Sequence, residues 1–366
     1  MLKEILAEKD YLPILQMADG TPVTKENWEA RRTEMRALLE KYSYGHTPDI
    51  PVKVSSSVVK TNPNAYAGKV DFTLVNIKLE TEHGEFEFPV EFYVPKKNKK
   101  VPLFLHLNFK LVPDRYTPME EVTDAGYAVA MMTYSDVVND KLHGNFSDGI
   151  AAYFGTTIDR EPEEWGKIGM WAYAASRVMD YIIAERPDID HEHVAVVGHS
   201  RLGKTALWCG AQDERFAAVI SNNSGYGGAA SSKHGIGERV TDFLRCGSWD
   251  WYCENFKQFA GEMEDKKPYD QSFLLALIAP RLLCVGSATE DKGADPYSEF
   301  TTTLHASAAW DLLGEKGLLC PDRLPEAGDH FGEGKVSYHL RAGRHYFSRW
   351  DWARYISFLN SHWGEP

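Results

Sequence analysis

The sequence of 366 residues lacks any long apolar run, because its longest apolar segments have only the length of a strand. A helix that spans a bilayer needs about 20 consecutive, mostly apolar residues, so the sequence predicts a protein that does not cross a membrane. Residues 1–10 interrupt every apolar pair with a charge and lack the apolar core of a secretory signal. We therefore expect a cytoplasmic protein.

Cysteine is scarce, and basic residues are outnumbered by acidic ones. The five cysteines include no CxxC pair, which argues against a disulfide framework and favours free thiols in a reducing compartment. The 40 Lys and Arg against 53 Asp and Glu give a net charge of −13, and no basic stripe is interleaved with aromatics. Such a chain repels phosphate backbones and anionic membranes, so we expect neither nucleic acid nor a membrane as partner. A content of 43% hydrophobic and 25% charged residues is typical of a globular protein.

Two kinds of apolar pattern follow one another along the chain. A helical pattern at 24–42 precedes three alternating segments, which predict antiparallel strands with one wet face. After residue 100, short continuous apolar runs alternate with helical patterns, as in a parallel sheet covered on both faces. The alternating segments are 52–59, 70–79 and 86–94, and the continuous runs are 101–107, 127–134, 194–198, 217–221, 282–286 and 336–340.

This succession predicts an α/β-hydrolase. We expect a mostly parallel central sheet that begins with antiparallel N-terminal strands and carries helices on both faces, a three-layer α/β sandwich. Residues 1–366 are predicted to form a single domain. Within it, residues 1–100 form an extension of a helix and antiparallel strands, and residues 223–270 form an aromatic-rich lid insertion.

The predicted strand at 194–198 runs into Gly198-His-Ser200 and then directly into a helical pattern. Strand, Gly-x-Ser and helix in this order are the context of a nucleophile elbow, a sharp turn that holds a strained serine above the sheet. Leu202 departs from the Gly-x-Ser-x-Gly pattern, and the next glycine is Gly203. Although Gly-x-Ser also occurs in ordinary turns and helix caps, we predict Ser200 as a nucleophile.

A serine nucleophile needs a histidine base, which follows the acid in the chain order of this fold. His345 lies between the last predicted strand and the terminal helical pattern, where the fold places its base. His339 lies within that strand, where we expect a packed or edge-exposed histidine. His330, in a glycine-rich loop, is the main rival.

The orienting acid is expected in the loop after the strand at 282–286. Asp291 lies about where this loop turns over the sheet, and we predict it as the acid. Glu290 is the alternative acid of the triad. Glu290 and Asp295 also have simpler interpretations, as a solvated face or as a cap for a helix that begins near Pro296.

Several motifs resemble the glucuronoyl esterases of carbohydrate esterase family 15 and their bacterial relatives. They cover most of the chain from about residue 100 onward, in the right order. The resemblance implies an α/β-hydrolase that cleaves the ester between 4-O-methyl-glucuronate on xylan and lignin alcohols. The motifs are Gly198-His-Ser-Arg-Leu-Gly-Lys204, Asn222-Asn-Ser-Gly-Tyr-Gly-Gly228, Gly237-Glu238, Trp251-Tyr-Cys-Glu-Asn-Phe256, Leu275-Ala-Leu-Ile-Ala-Pro-Arg281 and Ala294-Asp-Pro296.

The resemblance also implies roles for charged residues. Arg201 would contribute its backbone N–H and its side-chain charge to the oxyanion hole, and the loop at 106–109, near Asn108, would supply a second donor. Lys204 would bind uronate hydroxyls, and Glu238 would contact the sugar. Taken alone, these residues also have ordinary interpretations, as a paired arginine, a surface lysine and a carboxylate at a helix start.

Two positions depart from the family pattern. Many relatives have a triad glutamate where this chain has Asn223, so the acid must come from Asp291. Relatives also commonly carry a tryptophan against the uronate ring where this chain has Gly293. Trp251, or its neighbours Trp249 and Tyr252 in the aromatic insertion, would then provide the missing platform, although such aromatics also serve as lid packing.

The sequence thus predicts a serine esterase in which Ser200 attacks, His345 transfers the proton and Asp291 orients His345. No metal or organic cofactor is implied, and the expected substrate is a small molecule or oligosaccharide that carries a uronate ester. The alternatives are an acetyl xylan or other general acyl esterase and, in a different class, an inactive carbohydrate-binding protein on the same fold. The leaving alcohol, the physiological ester and the oligomeric state are left open.

Overall fold

The computed structural model describes residues 1–111, 114–141 and 143–366. Within these ranges ten strands form one sheet in the order β1-β2-β3-β5-β4-β6-β7-β8-β10-β9. The strands are β1 (Lys53–Asn64), β2 (Val70–Thr81), β3 (Gly84–Pro95), β4 (Val101–Asn108), β5 (Ala128–Thr133), β6 (Ile189–His199), β7 (Ala218–Asn222), β8 (Leu282–Ala288), β9 (His330–Phe331) and β10 (Val336–Arg341).

Strand directions divide the sheet into two parts. In the first part the pairs are antiparallel: β1 pairs with β2, β2 with β3, and β3 with β5. From β5 the pairing through β4, β6, β7 and β8 to β10 is parallel, and β9 adds a short antiparallel edge. The predicted antiparallel start and parallel centre are therefore confirmed.

Helices cover both faces of the sheet. In the described ranges they are α1 (Leu2–Glu8), α2 (Trp28–Leu39), α3 (Ala65–Gly68), α4 (Met119–Asp124), α5 (Tyr134–Val137), α6 (Gly149–Tyr153), α7 (Lys167–Glu185), α8 (Arg201–Gln212), α9 (Val240–Cys246), α10 (Gln271–Ala276), α11 (Pro296–Ala306), α12 (Ala308–Leu313) and α13 (Arg349–Trp363). No helix in the described part of the chain is long and apolar enough to cross a membrane.

Alternation along the central strands creates a core on each face. On β4, Leu103 and Leu105 point into the larger core, which includes residues of α7 and α8, whereas Phe104 points into a smaller core that includes residues of α4 and α13. Successive side chains of a strand point to opposite faces, so a continuous apolar run fills two cores at once. This is why the runs after residue 100 lack polar alternation, and the predicted α/β-hydrolase fold is confirmed.

The insertion at 223–270 packs through its aromatic rings. Tyr252 stacks on Phe256 at 4.0 Å between ring centroids, and Phe243 meets Tyr252 edge-on at 5.2 Å. Tyr252 and Phe256 are fully buried. The insertion also contacts the rest of the chain, since Tyr252 lies 6.1 Å from Tyr44 between ring centroids and its carbonyl accepts from Arg160 at 2.8 Å, and it places Trp251 in a cavity beside Ser200.

Candidate active site

The site begins at the turn between β6 and α8, where Ser200 has φ 58° and ψ −129°. A non-glycine residue at positive φ is strained, and it persists only where its surroundings fix it. The Ser200 N–H donates to the carbonyl of Asn222 on β7 at 2.9 Å. A Cβ on Gly198 would lie 2.1 Å from the carbonyl oxygen of Leu202, so glycine is required there. The local geometry is that of a nucleophile elbow.

His345 and Asp291 lie beside this turn on the loops after β10 and β8. The Nδ1 atom of His345 lies 2.6 Å from Oδ2 of Asp291, and Asp291 is only 8% exposed. Burial alone raises the pKa of Asp291, but hydrogen bonds from His345 and Asn223 outweigh it and hold the pKa below its ordinary value. The carboxylate is therefore ionised and accepts the Nδ1 proton, which leaves the Nε2 lone pair of His345 available as a base.

The other candidate acids lie elsewhere. Glu290 is 58% exposed and contacts Arg344 at 3.4 Å, as expected for a solvated face. Asp295 accepts the N–H of Ser298 at 3.1 Å and caps α11, as the alternative interpretation of the sequence expected. Neither carboxylate is paired with His345 in the structure.

The rival histidines belong to a different part of the sheet. His339 is buried in β10, and its Nε2 lies 2.8 Å from Asp351. His330 is in the edge strand β9 with its Nε2 3.3 Å from the hydroxyl of Ser337, and burial lowers its pKa to about 4. Of the three histidines weighed from the sequence, only His345 lines a cavity together with Ser200.

Two cavities meet at Ser200, Arg201 and His345. The smaller has a volume of about 240 Å³, and the larger, about 430 Å³. The smaller is also lined by Lys204, Asn223, Ser224, Glu238, Trp251, Asp291, Gly293 and Ala294. The larger is also lined by Phe109, Lys110, Arg115, Tyr116 and His199. A serine between two cavities can receive an ester with its acyl part on one side and its alcohol part on the other.

Arg201 is held in place by a residue that sequence reasoning missed. Its guanidinium is paired with the carboxylate of Asp140, which also accepts the hydroxyl of Tyr134 at 2.9 Å. The guanidinium also lies 4.5 Å from the ring centroid of Trp251. The backbone N–H of Arg201 is in the first turn of α8, where N–H groups have no partner within the helix and point to an anion.

Lys204 and Glu238 differ sharply in exposure. Lys204 is 3% exposed, whereas Glu238 is 41% exposed. The Lys204 ammonium donates to the carbonyls of Ser224 at 2.6 Å and Tyr226 at 2.5 Å and to Glu238 Oε2 at 3.1 Å. These bonds use all three of its protons, so Lys204 is a buried cation rather than the surface lysine of its ordinary interpretation.

The loop at 106–109, which was expected to supply a second oxyanion donor, reaches the site, but one of its backbone N–H groups is already bonded. The N–H of Phe109 donates to the side-chain oxygen of Asn108 at 2.8 Å. His199 follows Gly198 in the elbow and is also buried there. Burial and the neighbouring His345 lower the pKa of His199 to about 3, so it remains neutral. The one N–H of the neutral His199 ring, at Nδ1, donates to Oδ1 of Asn222 at 2.8 Å, so neither group supplies a free second donor.

Gly293 leaves one side of the smaller cavity uncovered. A Cβ added there would meet only Oδ1 of Asp291, at 4.0 Å. Trp251 lies in the same cavity, although only 8% of it is exposed. The ring of Trp249 instead lies under the Lys257 ammonium, 3.4 Å from the ring centroid.

Among the described side chains, no group of three or more His, Cys, Asp or Glu is suited to hold a metal ion.

A strained serine at the carboxyl edge of a parallel sheet, beside a paired histidine and aspartate, defines the class of the α/β-hydrolases. Comparison with known proteins narrows this class. A family model described as "Glucuronyl esterase, fungi" matches residues 75–314. Carbohydrate esterase MZ0003 from an unknown prokaryotic organism is 36% identical over 95% of this chain and 88% of its own length.

Solved structures agree with this result. A glucuronoyl esterase from Solibacter usitatus has a TM-score of 0.88 at 33% identity and covers 97% of this chain and 98% of its own. A promiscuous CE15 esterase from a marine bacterial metagenome has a TM-score of 0.86 at 35% identity, with 96% of both chains covered. The chain belongs to the glucuronoyl esterases of carbohydrate esterase family 15 and is a carboxylic-ester hydrolase.

Proposed function

We propose that this protein hydrolyses uronate esters of carbohydrates, most of all 4-O-methyl-glucuronoyl esters, through an acyl-enzyme on Ser200. The single observation that carries the mechanism is the 2.6 Å hydrogen bond between His345 and Asp291 beside the strained Ser200. The names of relatives support the substrate. The 4-O-methyl-glucuronoyl methylesterase of Cerrena unicolor is 28% identical over 81% of this chain and 60% of its own length.

The reaction begins when Ser200 Oγ attacks the ester carbonyl and His345 Nε2 takes the hydroxyl proton. Asp291 stabilises the imidazolium that forms and keeps Nδ1 protonated. The oxyanion accepts the N–H of Arg201 and lies near its guanidinium, which Asp140 and Trp251 hold in place. His345 then gives its proton to the leaving alcohol, and a water activated by the same nitrogen cleaves the acyl-enzyme.

The two cavities suggest how the ester lies. The smaller, polar cavity takes the uronate, and the exposed carboxylate of Glu238 accepts its hydroxyls through charge-assisted hydrogen bonds. The Lys204 ammonium donates a hydrogen bond to Oε2 of Glu238 and so orients this carboxylate. The larger cavity, with Phe109 and Tyr116 in its wall, takes the alcohol part.

One observation favours a second candidate, a general acyl esterase that includes acetyl esters of xylan among its substrates. Gly293 leaves the uronate side of the smaller cavity open, so the sugar has no aromatic platform at this position. Without it, discrimination between acyl groups rests on Glu238 and Trp251.

Parallel assays on methyl glucuronate, benzyl glucuronate and acetylated xylo-oligosaccharides separate the two candidates. The uronate proposal expects the highest kcat/KM for a glucuronate ester, and higher values for the acetylated substrates favour the general esterase. A fluorophosphonate should label Ser200 covalently. Ser200→Ala should abolish labelling and lower kcat by about 10⁴ or more, whereas the exposed Ser57→Ala serves as the matched control. Wild-type turnover by Ser200→Ala excludes the mechanism.

A further inference from the structure

Asn223 contacts the carboxylate that orients the base. Its Nδ2 donates to Oδ2 of Asp291 at 2.8 Å, and the same oxygen accepts Nδ1 of His345 at 2.6 Å. Asn223 is 1% exposed. The amide thus bonds the same carboxylate oxygen as His345, and almost none of its surface is exposed to the cavity that it lines.

The backbone of Asn223 is fixed on both sides. Its φ is 48°, in the left-handed region that asparagine tolerates better than most residues. Its N–H donates to the carbonyl of Gly286 on β8 at 2.7 Å. The next two N–H groups, of Ser224 and Gly225, donate to one carboxylate oxygen of the buried Glu299 at 2.8 and 3.0 Å. The amide therefore has little freedom to turn away from Asp291.

Asp291 has few other donors to hold it. Its second oxygen accepts the N–H of Ala294 at the long distance of 3.4 Å. A buried carboxylate that is short of donors tends to take up a proton or turn towards another partner. The hydrogen bond from Asn223 opposes both protonation and rotation of the Asp291 carboxylate. Because the amide is neutral, it does so without adding a charge to the site.

We propose that Asn223 is a positioning residue of this esterase: its amide fixes the Asp291 oxygen to which His345 is hydrogen-bonded, and so sets the orientation of the base. This inference rests on the roles proposed above for Ser200, His345 and Asp291. Asn223 acts through Asp291, so its loss affects every ester alike. This distinguishes it from a residue that binds the sugar.

The charge beside His345 also depends on this position. The titratable and charged groups that face the Asn223–Asp291 pair come from several elements, and they are His345, His199, Glu299, Arg201, Lys204 and Glu238. Asn223→Asp adds a carboxylate within hydrogen-bond distance of Asp291. Above the pH at which this pair loses its shared proton, two negative charges stabilise the imidazolium of His345.

The test is a pH profile of kcat/KM for p-nitrophenyl acetate and methyl glucuronate. Asn223→Asp should move the acid limb to higher pH by about one unit or more. Asn223→Ala should lower kcat about tenfold for both esters with little change in KM. Ser287→Ala is the structural control, since its buried hydroxyl bonds Glu299 at 2.6 Å and not Asp291, and Ser287 does not line either cavity. It should lower the melting temperature without moving the acid limb.

Wild-type kcat and an unmoved acid limb in both Asn223 variants, with Asp291→Asn inactive, would overturn this inference alone. A shift of the acid limb by Ser287→Ala equal to that of Asn223→Asp would assign the effect to the packing around Glu299 and also overturn it. Full activity of Ser200→Ala would instead remove the proposed function on which the inference rests.

Discussion

Replacing Lys204 by methionine keeps an unbranched side chain that is one atom shorter and removes three donated hydrogen bonds. Two of them hold the carbonyls of Ser224 and Tyr226 at 2.6 and 2.5 Å, and both carbonyls are in the loop that begins with Asn223. The third bond, to Glu238, is longer at 3.1 Å. The substitution therefore affects the loop behind Asp291 more strongly than the edge of the cavity.

The cost follows from the two carbonyls left without a donor. A buried polar group that loses its partner costs roughly 1–3 kcal/mol, so two such groups reduce the free energy of unfolding by about 3 kcal/mol once some relaxation is allowed. In a protein of 366 residues that corresponds to a fall in melting temperature of about 4 °C. Because the displaced loop carries Asn223, kcat should fall about tenfold for every ester.

The assay combines thermal unfolding with kcat/KM for p-nitrophenyl acetate and methyl glucuronate. Glu238→Gln is the matched variant, since its side chain is largely accessible and its loss leaves the two carbonyls bonded. It should keep the melting temperature and acetate hydrolysis near wild type and reduce glucuronate hydrolysis alone. If Lys204→Met unfolds like wild type and loses only glucuronate hydrolysis, the ammonium binds substrate and our reasoning about the loop is wrong.

Three further predictions concern the surrounding residues. Asp291→Asn should lower kcat by about 10²–10⁴ and Glu290→Gln by less than about threefold; the reverse ranking in steady-state assays would identify Glu290 as the acid. Gly293→Trp has room for its Cβ and should lower KM for methyl glucuronate about fivefold, the equivalent of about 1 kcal/mol, whereas an unchanged KM would place the sugar elsewhere. Burial raises the pKa of Glu299 to about 7, so the stability that its protonation supplies is complete below about pH 4 and is lost as pH rises through 7. Urea unfolding should show this slope in wild type and not in Glu299→Gln, and a flat wild-type profile would contradict it.

The fold could be predicted because its evidence is local. Each buried strand, such as β4, is an apolar run bounded by polar residues, and the strained turn at Ser200 is encoded by the strand, glycine and helix next to it. The position of His345 after β10 follows from the same order of elements. These features need only the immediate neighbours of a residue in the chain.

The choice between Glu290 and Asp291 needed more than local pattern. The N–H of Glu290 donates to the carbonyl of Gly343 at 2.8 Å, and its side chain points to solvent, whereas Asp291 turns inward. Two adjacent carboxylates in a loop look alike in a sequence, because periodicity does not apply outside helices and strands. Only the position in the loop favoured Asp291, and only the three-dimensional structure pairs it with His345.

The partners of the cationic residues could not be predicted at all. Asp140 lies 61 residues before Arg201, and the acceptors of Lys204 are backbone carbonyls, which every residue has. A sequence displays a donor but not the acceptors that already occupy it, so a buried structural lysine and a ligand-binding lysine look identical. In the structure, exposure distinguishes the two charged residues that were predicted to contact the sugar: the side chain of Lys204 is 3% exposed and that of Glu238 is 41% exposed. All three protons of Lys204 are already bonded, whereas the exposed carboxylate of Glu238 can accept further hydrogen bonds besides the one from Lys204. The specificity of this site for uronates should therefore depend on Glu238 more than on Lys204.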